Sequence, residues 1–136
     1  MNDIPWKSLI AAAEKARSHA YAPYSQYQVG AALVTPEGRI FAGCNVENVS
    51  YGLALCAERG AVAQLVAAGG REIAALAVVT AGPEPGAPCG LCRQTLVEFA
   101  DDLPIALVVA GEAEPRVIKN LRDLFPEPFR ADLAKR

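Results

Sequence analysis

Cys56-Ala57-Glu58-Arg59-Gly60-Ala61-Val62-Ala63-Gln64-Leu65-Val66-Ala67-Ala68-Gly69-Gly70 leads, after three residues, into Ala74-Ala75-Leu76-Ala77-Val78-Val79-Thr80. The first stretch sets Ala57, Ala61, Val62, Leu65 and Val66 along one helical face, and Gly69-Gly70 stops it. Its other faces are mostly alanine, so the helix is expected to be buried on more than one side, by a sheet and by a neighbouring subunit. The second stretch is apolar without alternation, which marks a central strand covered on both faces. A helix feeding such a strand is the building unit of an α/β fold.

Upstream, Trp6, Leu9, Ile10, Ala13 and Ala20 follow helical spacing from Pro5 to about Ala20, and Pro5 suits a first turn. Tyr21 to Gln28 reads as a loop. Val29 to Val34 reads as a strand, Thr35-Pro36-Glu37-Gly38 as a turn, and Arg39 to about Asn45 as the return strand of a hairpin. Asn48 to Ala54 is a loop of small, turn-prone residues. Downstream, Ala81 to Pro88 is a Gly/Pro loop. Cys89 to Ala100 is a helix with Cys92, Leu96, Phe99 and Ala100 inward. Ile105 to Ala110 is a second buried strand, and Val117 with Ile118 suggests a short last one. From Asn120 the tail holds a short helix, a Pro-broken turn at Phe125-Pro126-Glu127-Pro128-Phe129, and a charged end. This order predicts a three-layer α/β/α sandwich on a mixed sheet of about five strands, in one domain over 1–136.

The composition is that of a folded chain: 136 residues, 52% apolar and 21% charged. That apolar share is high for the size, and a subunit interface would use the surplus. The net charge of −2, with no basic run, gives no electrostatic footprint for nucleic acid. No apolar stretch approaches the ~20 residues that span a bilayer. The N-terminus lacks a basic region followed by an apolar one, so a cytoplasmic location is expected. In that setting four cysteines read as reduced, metal-binding thiols rather than as two disulfides.

Three of them are spaced for chemistry. Cys56-x-Glu58 is followed by Pro88-Cys89-Gly90-Leu91-Cys92. Three thiolates can hold one Zn²⁺ and leave a fourth position for water. A carboxylate two residues from a ligand is near that water but badly placed to be a ligand, which suits metal-assisted hydrolysis. This pattern is similar to the signature of zinc nucleobase deaminases. Cys56 opens one helix, and Cys89 with Cys92 opens another. The partial positive charge of helix N-termini eases the cost of thiolates there.

Each residue has a duller reading. Cys44, in the return strand, is a small buried hydrophobe or else a fourth ligand closing a structural site. His19, the only histidine, is a surface residue at a helix end. Glu58 is an ordinary first-turn glutamate or, beside a ligand, a general acid/base. Arg59 is a surface arginine or a hydrogen-bond donor to the thiolates. Asn45-Val46-Glu47-Asn48 is a solvated loop or a pair of hydrogen-bonding side chains at a strand end.

Together these segments resemble cytidine deaminase of the small, homotetrameric, three-cysteine kind. The likeness runs from Tyr24-Ser25-Gln26-Tyr27-Gln28-Val29-Gly30-Ala31-Ala32 through Gly43-Cys44-Asn45-Val46-Glu47-Asn48 and Cys56-Ala57-Glu58-Arg59. It continues through Pro88-Cys89-Gly90-Leu91-Cys92-Arg93-Gln94 to Leu124-Phe125-Pro126-Glu127-Pro128-Phe129. The resemblance implies that Cys56, Cys89 and Cys92 bind one zinc per chain and that Glu58 shuttles protons. It implies that Asn45 and Glu47 hold the ribose, that Tyr27 and Ala57 line the base pocket, and that Arg59 hydrogen-bonds the thiolates. Tyr27 stands where the family often has Phe. Phe129 would reach into a neighbouring subunit's site, and Tyr51 would lie near a subunit interface. The implied reaction is hydrolytic deamination of cytidine and deoxycytidine to uridine and deoxyuridine, in pyrimidine salvage.

Two rivals share part of this pattern. A deaminase of another cytosine nucleoside, such as blasticidin S, would keep the zinc and Glu58 but not the sugar pair Asn45 and Glu47. A non-enzymatic zinc-stabilised binding module would need a fourth protein ligand and would leave Glu58 idle.

Overall fold

The computed structural model describes residues 3–130. The hairpin forms as expected: β1 (Gly30–Val34) pairs antiparallel with β2 (Ile40–Cys44). Its turn is closed by the Gly38 N–H donating to the Thr35 carbonyl at 2.9 Å. The strand read from Ala74–Thr80 is β3 (Ala75–Thr80), buried at every position and third in the sheet order β2-β1-β3-β4-β5. It runs antiparallel to β1 and parallel to β4 (Pro104–Val109). β5 (Val117–Asn120) closes the far edge antiparallel to β4 and is exposed along its length. Five strands in mixed directions make the expected sheet.

Helices cover both faces. α1 (Trp6–Arg17) lays Leu9, Ile10 and Ala13 against Ala32, Val34, Ala77, Val79 and Val108. α2 (Ala57–Ala67) and α3 (Gly90–Val97) pack on the opposite face, against Ala31, Leu33, Leu76, Val78, Ile105 and Leu107. Alternate residues of one strand therefore serve two cores, which is why the strands show no polar alternation. The three-layer architecture follows.

Element ends moved by a few residues. α1 stops at Arg17 rather than Ala20, and Pro5 sits before the helix rather than in its first turn. α3 ends at Val97, so Phe99 and Ala100 lie beyond it; Val97, not Ala100, completes its buried face. The loop 48–54 contains a 3₁₀ turn, Tyr51–Leu53. α2 is buried through Ala57, Glu58, Ala61, Val62 and Leu65, whereas Val66 is exposed with Ala63 and Ala67. Within one chain, α2 is thus covered on the sheet side only. In the tail a short helix, α4 (Leu121–Leu124), precedes the Pro-broken turn. The charged end of the tail lies outside the described residues.

One contact fixes α2 on the sheet. A Cβ on Gly43 of β2 would lie 2.5 Å from the Ala61 nitrogen and 2.6 Å from the Ala57 oxygen. Only glycine lets the helix backbone sit directly on the strand. Gly69, at φ +91°, ends α2, and the Gly70 N–H donates to the Leu65 carbonyl at 2.9 Å.

Candidate active site

Cys56 and Cys89 are the N-cap residues of α2 and α3, and Cys92 is in the first turn of α3. Neither side chain makes a capping hydrogen bond to its own helix, so both sulfurs are free to converge with Cys92. The three ligand atoms lie within 4.8 Å of one another. Cys56 Sγ is 3.7 Å from Cys89 Sγ, and Cys89 Sγ is 3.6 Å from Cys92 Sγ. Tetrahedral zinc with bonds of about 2.3 Å sets its sulfurs roughly 3.8 Å apart, so the donor set fits that ion. Neither Cys44, half-buried in β2, nor exposed His19 belongs to the cluster.

The electrostatics also suit a dication. Cys56 is lowered to about 5, chiefly by its hydrogen bond with Cys92 and further by Arg59 and Cys89, against the opposing effect of burial. Cys92 is pushed strongly up by the same contact with Cys56 and by burial. One thiolate forms readily and the next is resisted, a conflict that a divalent cation removes. Arg59 supplies the positive charge on the protein side. Its Nη2 donates to the Ala54 carbonyl at 3.0 Å and faces Cys56 Sγ at 3.8 Å. Its Nε is buried without a partner.

Glu58 is 5% exposed. Burial raises its carboxyl to about 7, and the neighbouring Cys56 thiolate adds to the rise while Arg59 opposes it. It stands outside the sulfur cluster. Ala57 and Glu58 line a cleft of about 340 Å³ together with Tyr27, Asn45 and Glu47. The cleft lies where β3 ends and the chain turns toward α3, beyond the carboxyl end of a parallel strand.

Asn45 and Glu47 are held by the loop before β1. Asn45 Oδ1 accepts from the Val29 N–H at 2.8 Å, and its Nδ2 donates to the Tyr27 carbonyl at 2.8 Å. Glu47 Oε1 accepts from the Tyr24 and Ser25 N–H groups at 2.9 and 3.1 Å. Phe129 is absent from the cleft of its own chain; its side chain is 67% exposed, and Tyr51 is 77% exposed.

Several participants were not among the expected site residues. Thr80 is buried at the end of β3, where its Oγ1 accepts from the Gly86 N–H at 2.8 Å and shapes the cleft floor. A polar residue ending an apolar strand run was the available signal. Arg93 Nε donates to the Pro88 carbonyl at 2.8 Å, and its Nη1 donates to the Leu124 carbonyl at 2.7 Å. Gln94 Nε2 donates to the Phe129 carbonyl at 2.8 Å. These two side chains tie the tail to the helix bearing Cys92, and nothing in their local sequence announces partners some 31 and 35 residues away.

Comparison with known proteins agrees with the geometry. Residues 5–108 match the family model described as the cytidine and deoxycytidylate deaminase zinc-binding region. A cytidine deaminase of Mycobacterium tuberculosis is 43% identical over 132 residues, covering 97% of this chain and 95% of that protein. The crystal structure of cytidine deaminase from Burkholderia pseudomallei superposes with a TM-score of 0.83 at 49% identity, over 90% of this chain and 97% of the other. That from Mycobacterium tuberculosis gives 0.80 at 43% identity, over 94% and 99%. With the zinc-spaced thiols and the matched fold together, the chain belongs to the cytidine and deoxycytidylate deaminase zinc-binding family.

Proposed function

We propose that the protein is a zinc-dependent hydrolytic deaminase of cytidine and deoxycytidine. The observation that carries this reading is a buried carboxylate, Glu58, beside three sulfurs at zinc spacing, lining one cleft with Asn45 and Glu47. Cys56, Cys89 and Cys92 would hold the metal, with Arg59 offsetting their charge. Zinc, when bound, supplies a Lewis acid that makes water acidic enough to attack near neutral pH. Glu58 accepts a proton from that water and delivers it to N3 of the cytosine, so that oxygen adds at C4. Glu58 then takes the remaining proton of the hydroxyl added at C4 and carries it to the exocyclic amine, which leaves as ammonia as the C4 carbonyl forms. A carboxyl that titrates near neutrality is matched to moving protons in both directions.

Asn45 and Glu47 grip the sugar, and Tyr27 and Ala57 flank the base. This sugar grip favours a nucleoside substrate over free cytosine and weighs against a blasticidin-type substrate. Cytidine and deoxycytidine are expected to turn over well and cytosine poorly, because polar groups left unpaired in a site discriminate strongly. Ammonia release from the three compounds, measured on the wild type and on Glu47→Ala, tests this. Fast turnover of cytosine, or an unchanged Glu47→Ala enzyme, contradicts it.

The protein is further proposed to act as a homotetramer with shared sites, in the cytoplasm, as one domain serving pyrimidine salvage. The exposed outer face of α2 and the outward Phe129 support assembly, and no helix among the described residues is long and apolar enough to cross a membrane. Phe129 would stack on the cytosine bound by an adjacent chain. Phe129→Ala is then expected to weaken cytidine binding roughly ten- to hundredfold, as loss of base–aromatic stacking does, with zinc content unchanged. Sedimentation with an activity assay checks the assembly: a fully active monomer refutes it.

A further inference from the structure

We propose that Ser25 is a positioning residue that sets the sugar preference of the site, its hydroxyl joining the Glu47 carboxylate to the backbone of Tyr27. This rests on the reading of Glu47 as the sugar-binding acid. The Ser25 hydroxyl donates to Glu47 Oε2 and accepts from the Tyr27 N–H at 3.0 Å. The turn that allows this passes through Gln26, whose φ of +58° is disfavoured for a residue with a Cβ. The loop therefore adopts a conformation that its own sequence does not prefer, and its bonds to Glu47 help hold it there.

Counting acceptor positions shows what Ser25 leaves free. A carboxylate has about four lone-pair sites. Two on Oε1 are taken by the Tyr24 and Ser25 N–H groups, and one on Oε2 by the Ser25 hydroxyl. One position on Oε2 remains for a sugar hydroxyl, and the bond from Ser25 fixes its direction. Asn45 is committed in the same way, to Val29 and Tyr27, and keeps one Nδ2 proton unused. Ser25 also keeps Glu47 an acceptor: its hydroxyl is the largest cause holding that carboxyl below its ordinary range, and the Ser25 and Tyr24 N–H groups add to it. Because the same hydroxyl anchors Tyr27, the sugar grip and the base-flanking ring are set as one unit.

Removing the hydroxyl leaves Oε2 free to rotate and the Tyr27 N–H unpaired, while the zinc ligands and Glu58 stand on other elements. The test measures kcat and KM separately for cytidine and for 2′,3′-dideoxycytidine, which lacks the 2′- and 3′-hydroxyls, on the wild type, Ser25→Ala, Ser25→Thr and Glu47→Ala, with zinc content alongside. Ser25→Ala is expected to raise the cytidine KM about tenfold, the scale of one hydrogen bond to a charged group, with kcat within about twofold and zinc retained. Its preference for cytidine over the dideoxy compound should narrow, and Ser25→Thr, which restores a hydroxyl, should recover most of it. If Glu47→Ala abolishes the preference and Ser25→Ala leaves it intact, Ser25 has no such role and the sugar reading stands. If Glu47→Ala leaves the preference intact, the sugar reading falls and this inference with it. A drop in kcat at unchanged KM in Ser25→Ala also overturns it.

Discussion

Glu58→Gln is expected to lower cytidine turnover at least ~100-fold, the lower bound for losing a general acid/base, while the protein keeps one zinc per chain. The two halves of this result rest on different observations. Turnover falls because an amide cannot accept the proton of water or pass it to N3. Zinc is expected to stay because the proposed ligands are three sulfurs, and Glu58 stands outside their cluster. The fold does not suffer: Glu58 is buried and its carboxyl already resists ionising, so an uncharged amide of the same shape has less to desolvate. Metal analysis and single-turnover kinetics on the purified variant check both. Loss of zinc, or near-normal turnover, would remove Glu58 from the role assigned to it.

The second large effect separates the three spaced cysteines from Cys44, which the sequence reads as a small buried hydrophobe or else a fourth ligand. Cys89→Ser is expected to strip the metal or bind it far more weakly, and activity falls with it, because a hydroxyl replaces a thiolate. Cys44→Ser is expected to keep full zinc occupancy. Cys44 is on β2, half-buried, and takes no part in the sulfur cluster. Zinc measured per chain after extensive dialysis gives the answer. If Cys44→Ser loses metal as Cys89→Ser does, the centre has four protein ligands and no open position, and the closed binding module becomes the correct description.

The sheet was legible because its core strands are buried on both faces. Runs such as Ala75–Thr80 and Ile105–Val109 need no partner information to be read as central. The metal centre was legible for a related reason: helix caps place Cys56 and Cys89 at predictable points of the chain, and Cys92 follows one turn on. Less visible was everything set by long-range bonds. Ser25 depends on Glu47 and Arg93 on Leu124, and no local pattern encodes such pairs. Helix ends were misjudged where apolar residues continue past the last turn, as at Phe99 and Ala100, which pack on the core from outside α3. The outer face of α2, read from its alanines as covered by a neighbouring subunit, is exposed within one chain.

The glycine contact between β2 and α2 has a consequence for what the cleft can accept. β2 runs directly into Asn45 and Glu47, and α2 begins at Cys56 and Glu58. At Gly43 strand and helix are in backbone contact, so no side chain lies between them there to yield or repack. On the proposed reading, the separation between the sugar-binding Asn45 and Glu47 and the proton-carrying Glu58 is set by these two elements. Compounds that differ at their edges can be accommodated by the loops around the cleft. On that reading, a compound whose sugar sits at a different distance from its amine is expected to bind poorly.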